Sequence, residues 1–150
     1  MKFMVAFSTP KRSAATVETA ATYAKALGAE IYIVRIIPDP EKVGVVAQLI
    51  ATERPQQKAQ QQVDATVAQL HAQGLTATGM VKVGEVAPGI ISTAGELGVD
   101  LVFIGTTNIE RQPFFLMENN PIVHYVMDRC PISVLLVRRN VAAKSEDLED

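Results

Sequence analysis

The chain has 150 residues, 48% of them hydrophobic and 20% charged, with a formal net charge of -2. That length fits one domain, the apolar fraction suffices for a core, and the balanced charge argues against nucleic acid or an anionic membrane surface as partner. The single cysteine, Cys130, excludes an internal disulfide and any cysteine-rich metal site.

Lys2–Phe7 is apolar enough for a buried strand, and the polar turn Ser8–Ser13 follows it, with Ser13 as candidate helix cap. The opening apolar run is too short for a signal peptide, and no stretch approaches the ~20 residues of a membrane span. A cytoplasmic protein without membrane insertion is expected. Ala14–Leu27 is helical, with Ala14, Val17, Ala21 and Ala24 on one face and Gly28 as its stop. Ile31–Ile37 is a β-branched second strand, closed by Pro38-Asp39-Pro40. The apolar insert 41–53 is expected to lie as a short helix over the sheet edge, with a ligand lid or partner surface as the other reading.

Gln56–Gln73 carries an Ala59, Val63, Val67, Leu70 stripe among its glutamines and is expected to be a surface helix. Thr76–Val83 is a third strand. Val86–Leu97 is a helix, with Pro88 tolerated in its first turn and Ile90, Ile91, Ala94 and Leu97 facing inward. Leu101–Ile104 is an unbroken apolar run, as in a strand buried on both faces, and it ends at Gly105. Ile122–Met127 is the last helix, Ser133–Val137 the last strand, and residues 141–150 an acidic tail beyond a single domain of residues 1–140. The tail's Glu146, Asp147, Glu149 and Asp150 set the sign of the net charge.

Strands alternating with helices predict an α/β fold, an open five-stranded parallel sheet with helices on both faces. In such sheets ligands bind beyond the C-terminal ends of the strands. Gly105-Thr106-Thr107-Asn108 stands at that end of the central strand, and a helix begins near Asn120-Pro121. His71 is expected to be solvated and His124 structural, since neither has a partner at metal-ligand spacing. Cys130 follows a helix whose C-terminal dipole disfavours a thiolate. No metal ligands or catalytic residues are assigned, and Lys11-Arg12 is taken as a solvated pair.

The segments GVDLVFIGTTN (98–108), VGEVAPGIISTAGELG (83–98) and CPISVLLVRR (130–139) together resemble the universal stress protein family. The resemblance runs from Lys2 to Arg139 and implies a Rossmann-like, adenine-nucleotide-hydrolase-like sheet and dimers joined through the last strand. Many members bind ATP through a glycine after the central strand, a second glycine, a Gly-Ser or Gly-Thr pair, and an Asp after the first strand. The resemblance places these elements at Gly105, Asn108, Asn120-Pro121 and Ser8.

Candidate nucleotide-binding residues are therefore Ser8 and Thr9, Ile36 and Ile104 on either side of a base, and Gly105, Asn108, Asn120, Pro121 and Ile122. Pro121 lacks an N–H for phosphate, Asn108 and Asn120 allow less close approach than glycine, and Ser8 withdraws a carboxylate. The main expectation is accordingly a stress-response regulatory dimer with no cofactor. It would pair through Val134-Leu135-Leu136-Val137 and act on an unknown protein partner, with ATP bound weakly or not at all. The alternative is a sensor that binds AMP, ATP or a cyclic nucleotide.

Overall fold

The five apolar segments become strands: β1 (Lys2–Ala6), β2 (Glu30–Ile37), β3 (Ala77–Val83), β4 (Leu101–Thr106) and β5 (Ser133–Arg138). The computed structural model describes residues 1–39, 53–106 and 121–138. The insert 41–53, except for its last residue, and the tail 141–150 lie outside the described residues. All strand pairs are parallel, in the order β3-β2-β1-β4-β5. The predicted open parallel sheet is thus the observed one.

Among the described residues, four helices cover the sheet: α1 (Ala14–Leu27), α2 (Glu53–Ala72), α3 (Val86–Leu97) and α4 (Pro121–Arg129). On one face, α1 and α2 pack over Phe3, Val5, Ile31, Ile33 and Phe103. On the other, Met4, Val34, Ile36, Val102 and Ile104 pack with Ile90 and Ala94 of α3 and Val123 and Val126 of α4. The alternation of side chains along a strand sorts consecutive residues of β1 and β4 between the two clusters. Both strands are central, so neither face is polar, and Phe3, Met4, Val5, Val102 and Phe103 are all fully buried. Phe3 and Phe103 meet at 5.1 Å between ring centroids, and Tyr23 and Phe103 form a T-shaped pair at 5.8 Å.

Two helices stop where glycine allows a left-handed residue, at Gly28 (φ 67) and Gly98 (φ 65). The α2 stripe is buried as expected at Ala59, Val63 and Leu70, with Val67 partly so. Four expectations need correcting. The buried face of α1 centres on Thr16, Ala20, Ala21 and Ala24, while Ala14 is exposed. The strand β4 does not end at Gly105, because Gly105 and Thr106 pair with Val137 and Arg138 of β5. Ser13 precedes α1 but makes no side-chain cap. His71 is exposed, yet its Nε2 lies 2.9 Å from the Ala77 carbonyl oxygen, so it is not simply solvated. No helix among the described residues is long and apolar enough to cross a membrane.

Candidate nucleotide site

The strand order reverses between β1 and β4, since β1 runs on to β2 and β3 on one side while β4 leads to β5 on the other. In open parallel sheets such a switch point leaves a crevice beyond the C-terminal ends of the two strands. Phe7 extends β1 by donating its N–H to the Val34 carbonyl at 2.9 Å, and the chain then turns through residues 8–13. The turn is closed from within. The Ser8 N–H donates to Ser13 Oγ at 2.8 Å, and the two hydroxyls lie 3.1 Å apart. The Arg12 N–H donates to Thr9 Oγ1 at 3.2 Å, and the Ser13 N–H to the Thr9 carbonyl at 2.9 Å. This explains the missing cap: the Ser13 hydroxyl is engaged across the turn, not by the free N–H groups of α1.

From outside, Arg35 of β2 holds the same turn through a hydrogen bond from its Nη1 to the Ser8 carbonyl. Its guanidinium is half-buried, which lowers its pKa, and the nearby Arg12 charge lowers it further. Its Nε is buried without a hydrogen-bond partner among the described residues.

The crevice is a cavity with an apolar floor and a polar rim. Val34, Ile36, Ile104, Ile90, Ile122 and Val123 supply most of the apolar lining, and Ala6 and Phe7 the part on β1. Ser8, Arg12, Ser13 and Thr106 supply the polar groups. Two glycines shape it. A Cβ on Gly89 of α3 would lie 3.0 Å from Ile36 Cγ2, so Gly89 lets the helix sit down on that side chain. A Cβ on Gly105 would lie 2.5 Å from Thr16 Oγ1, so Gly105 lets α1 approach β4.

Of the residues expected from sequence, Ser8, Ile36, Ile104, Gly105 and Ile122 line the cavity together. Thr9 does not; its hydroxyl and carbonyl serve the turn. Pro121 opens α4 and is exposed, outside the lining, so its missing N–H is not in the wall of this cavity. Asn108 and Asn120 lie outside the described residues. The lining residues missed from sequence are chiefly Ala6, Val34, Ser13, Thr106 and Arg12. Ala6 and Val34 pair with each other in register, and Ala6 also pairs with Ile104. The period-two pattern of β2 carried the signal for Val34, which shares its face with Ile36.

Nothing among the curated proteins matches the chain. Solved structures do match its fold. A universal stress protein family protein from Arabidopsis thaliana with AMP bound is 14% identical with a TM-score of 0.72, over 100% of this chain and 99% of that one. A universal stress protein from Archaeoglobus fulgidus in complex with dAMP is 17% identical with a TM-score of 0.66, over 91% and 97%. A universal stress protein in complex with cAMP is 18% identical with a TM-score of 0.67, over 93% and 98%. These bound nucleotides overturn the expectation of no cofactor. That expectation weighed substitutions in the phosphate loop and gave too little weight to the apolar floor, which those substitutions leave in place. The model of the universal stress protein family matches residues 1–138. The chain belongs to the universal stress protein family.

Proposed function

We propose that this protein binds an adenine nucleotide in the cavity between β1, β2 and β4 and acts as a nucleotide sensor, working as a homodimer joined through β5. The observation that carries the reading is the apolar floor, with Ile36 and Ile104 on the two strands that flank β1 at the crevice. A flat apolar base gains from burial against such side chains, and the polar rim of Ser8, Ser13, Thr106 and Arg12 suits a ribose and phosphate. The nucleotide-bound structures of similar fold support the same reading. For the dimer, the support is an edge strand whose Val134, Leu135 and Leu136 stay partly exposed.

The test is calorimetry of the purified protein with adenosine, AMP, cAMP and ATP, with guanosine and GMP as controls. Saturable heat with the adenine compounds and none with the guanine ones is expected. Absence of binding by every adenine compound up to about 1 mM, a free energy of roughly -4 kcal/mol, would overturn the reading.

A further inference from the structure

A second cavity, of about 500 Å³, lies between α1 and α2. These helices cover the Phe3, Val5 and Phe103 face of the sheet, whereas Val34, Ile36 and Ile104 of the first cavity belong to the opposite face. Among the described residues, Phe7 alone lines both. The volume is in the range of small-molecule sites. The buried Phe7 and Ala21, with the partly buried Val17, supply an apolar floor, and Gln69 is exposed on the α2 side. Glu18 and Lys25 are the two charged residues of the lining. Seven residues apart on α1, they share one face of the helix, about 10 Å apart along its axis. Lys25 Nζ donates to Gln73 Oε1 of α2 at 2.8 Å. That bond holds the ammonium between the two helices and leaves it two further donors and its full charge, since an amide is neutral. Among the described residues, no hydrogen bond or ion pair engages the Glu18 carboxylate; the Thr22 hydroxyl donates to its backbone carbonyl at 3.0 Å instead.

We infer that this groove binds a short extended peptide of about three residues with both termini free, its ammonium at Glu18 and its carboxylate at Lys25. An extended chain advances at most ~3.3–3.6 Å per residue, so three residues set their terminal charges roughly 10 Å apart. That matches the separation of the two side chains along α1. A dipeptide meets one charge or the other, not both. Peptide groups between the ends need donors and acceptors, and the Gln69 amide carries both. The apolar floor takes small aliphatic side chains of the ligand. The site is separate from the adenine cavity, and the inference does not rest on the nucleotide reading.

The experiment titrates the full, nitrogen-15-labelled chain with trialanine and follows the amide resonances of residues 17–25 and 65–73. Dialanine, N-acetyl-trialanine and trialanine amide are the comparison ligands, and the proteins are wild type, Glu18→Gln and Lys25→Gln. Wild type should bind trialanine in roughly the millimolar range, about threefold more tightly than each comparison ligand, as an exposed ion pair allows. Glu18→Gln should bind trialanine and its acetylated form alike, yet still discriminate against the amide. Lys25→Gln should show the reverse, losing the discrimination against the amide and keeping that against the acetylated form. A general loosening of the groove does not exchange specificities in this way. Equal affinity of wild type for dialanine and trialanine would overturn the inference. So would a uniform loss across all ligands in both variants, or no shift of these resonances up to about 10 mM trialanine. AMP titrated separately tests the other cavity, so failure here leaves the nucleotide reading standing.

Discussion

The contact between Gly105 and Thr16 is the tightest test of how the site is built. Gly105→Ala adds one methyl group whose carbon would stand 2.5 Å from Thr16 Oγ1, so the pair must open by about 0.9 Å to reach the 3.4 Å of ordinary contact. Thr16 is 2% exposed on the inner face of α1, and the helix packs on β1, β4 and β5, so it has little room to retreat. Gly105 does not have a positive φ, so alanine suits its backbone and gains roughly 0.5–1 kcal/mol in chain entropy. Overpacking of this kind costs about 1–3 kcal/mol and outweighs that gain at the upper end. The net expectation is a loss of about 1–2 kcal/mol in urea unfolding. The decisive comparison is a cycle with Thr16→Ala. That change removes Oγ1 and leaves the Thr16 Cβ at 3.9 Å, an ordinary contact. Gly105→Ala should then cost nothing or stabilise slightly, giving a coupling of about 1–3 kcal/mol. Thr16→Val, which keeps an atom in place of Oγ1, should preserve the penalty. Equal costs of Gly105→Ala in the wild-type and Thr16→Ala backgrounds would refute the reasoning.

Sedimentation should show a homodimer for wild type, and Leu135→Asp or Leu136→Asp should shift it to monomer or aggregate; a wild-type monomer at high concentration would end the β5 pairing proposal. Tyr32 should titrate above the ordinary tyrosine value of 10.0, because its hydroxyl donates to Glu30 Oε1, because of some desolvation, and because of the Glu30 charge. A raised folded pKa means its contribution is whole below the ordinary value and is lost as pH rises through the higher folded one. Ultraviolet titration of Glu30→Ala should bring the Tyr32 transition down, and an unchanged transition would show that Glu30 does not set it.

Much of the fold was legible because the central strands have no exposed face. A run such as Leu101–Ile104 has no reason to be continuously apolar unless helices cover both sides of it. The helix ends at Gly28 and Gly98 were equally plain, since both take up the left-handed conformation that glycine favours. Thr16 was not legible. A threonine on a helix suggests the outer face, and only the meeting of α1 with β4 shows that it occupies the space left by Gly105. Ser13 misled for a related reason: its hydroxyl had a local use at the helix start and a better one across the turn. At the site, Ser8, Ile36, Ile104 and Gly105 stood out through the family resemblance and their places near the C-terminal ends of apolar runs. Val34 and Ala6 resembled ordinary core, and Arg12 resembled any solvated cation. What identifies them is the gap between strands that diverge, a property of topology that no local pattern carries.

The same topology places β1 at the middle of the sheet, and this has a bearing on synthesis. The Lys2 N–H donates to Asp100 Oδ2 at 2.8 Å, and the Asp100 N–H returns to the Lys2 carbonyl at 2.8 Å. These bonds fasten β1 to β4 across 98 residues of sequence. While the chain emerges from the ribosome, β2 can pair with β1 on one side and β3 with β2, but the other edge of β1 has no neighbour until β4 is complete. At about 5–20 residues per second that wait is on the order of ten seconds. During it, the backbone of Phe3, Met4 and Val5 presents an unpaired apolar edge. The strand that becomes the most protected in the finished sheet is, for that interval, its most adhesive surface.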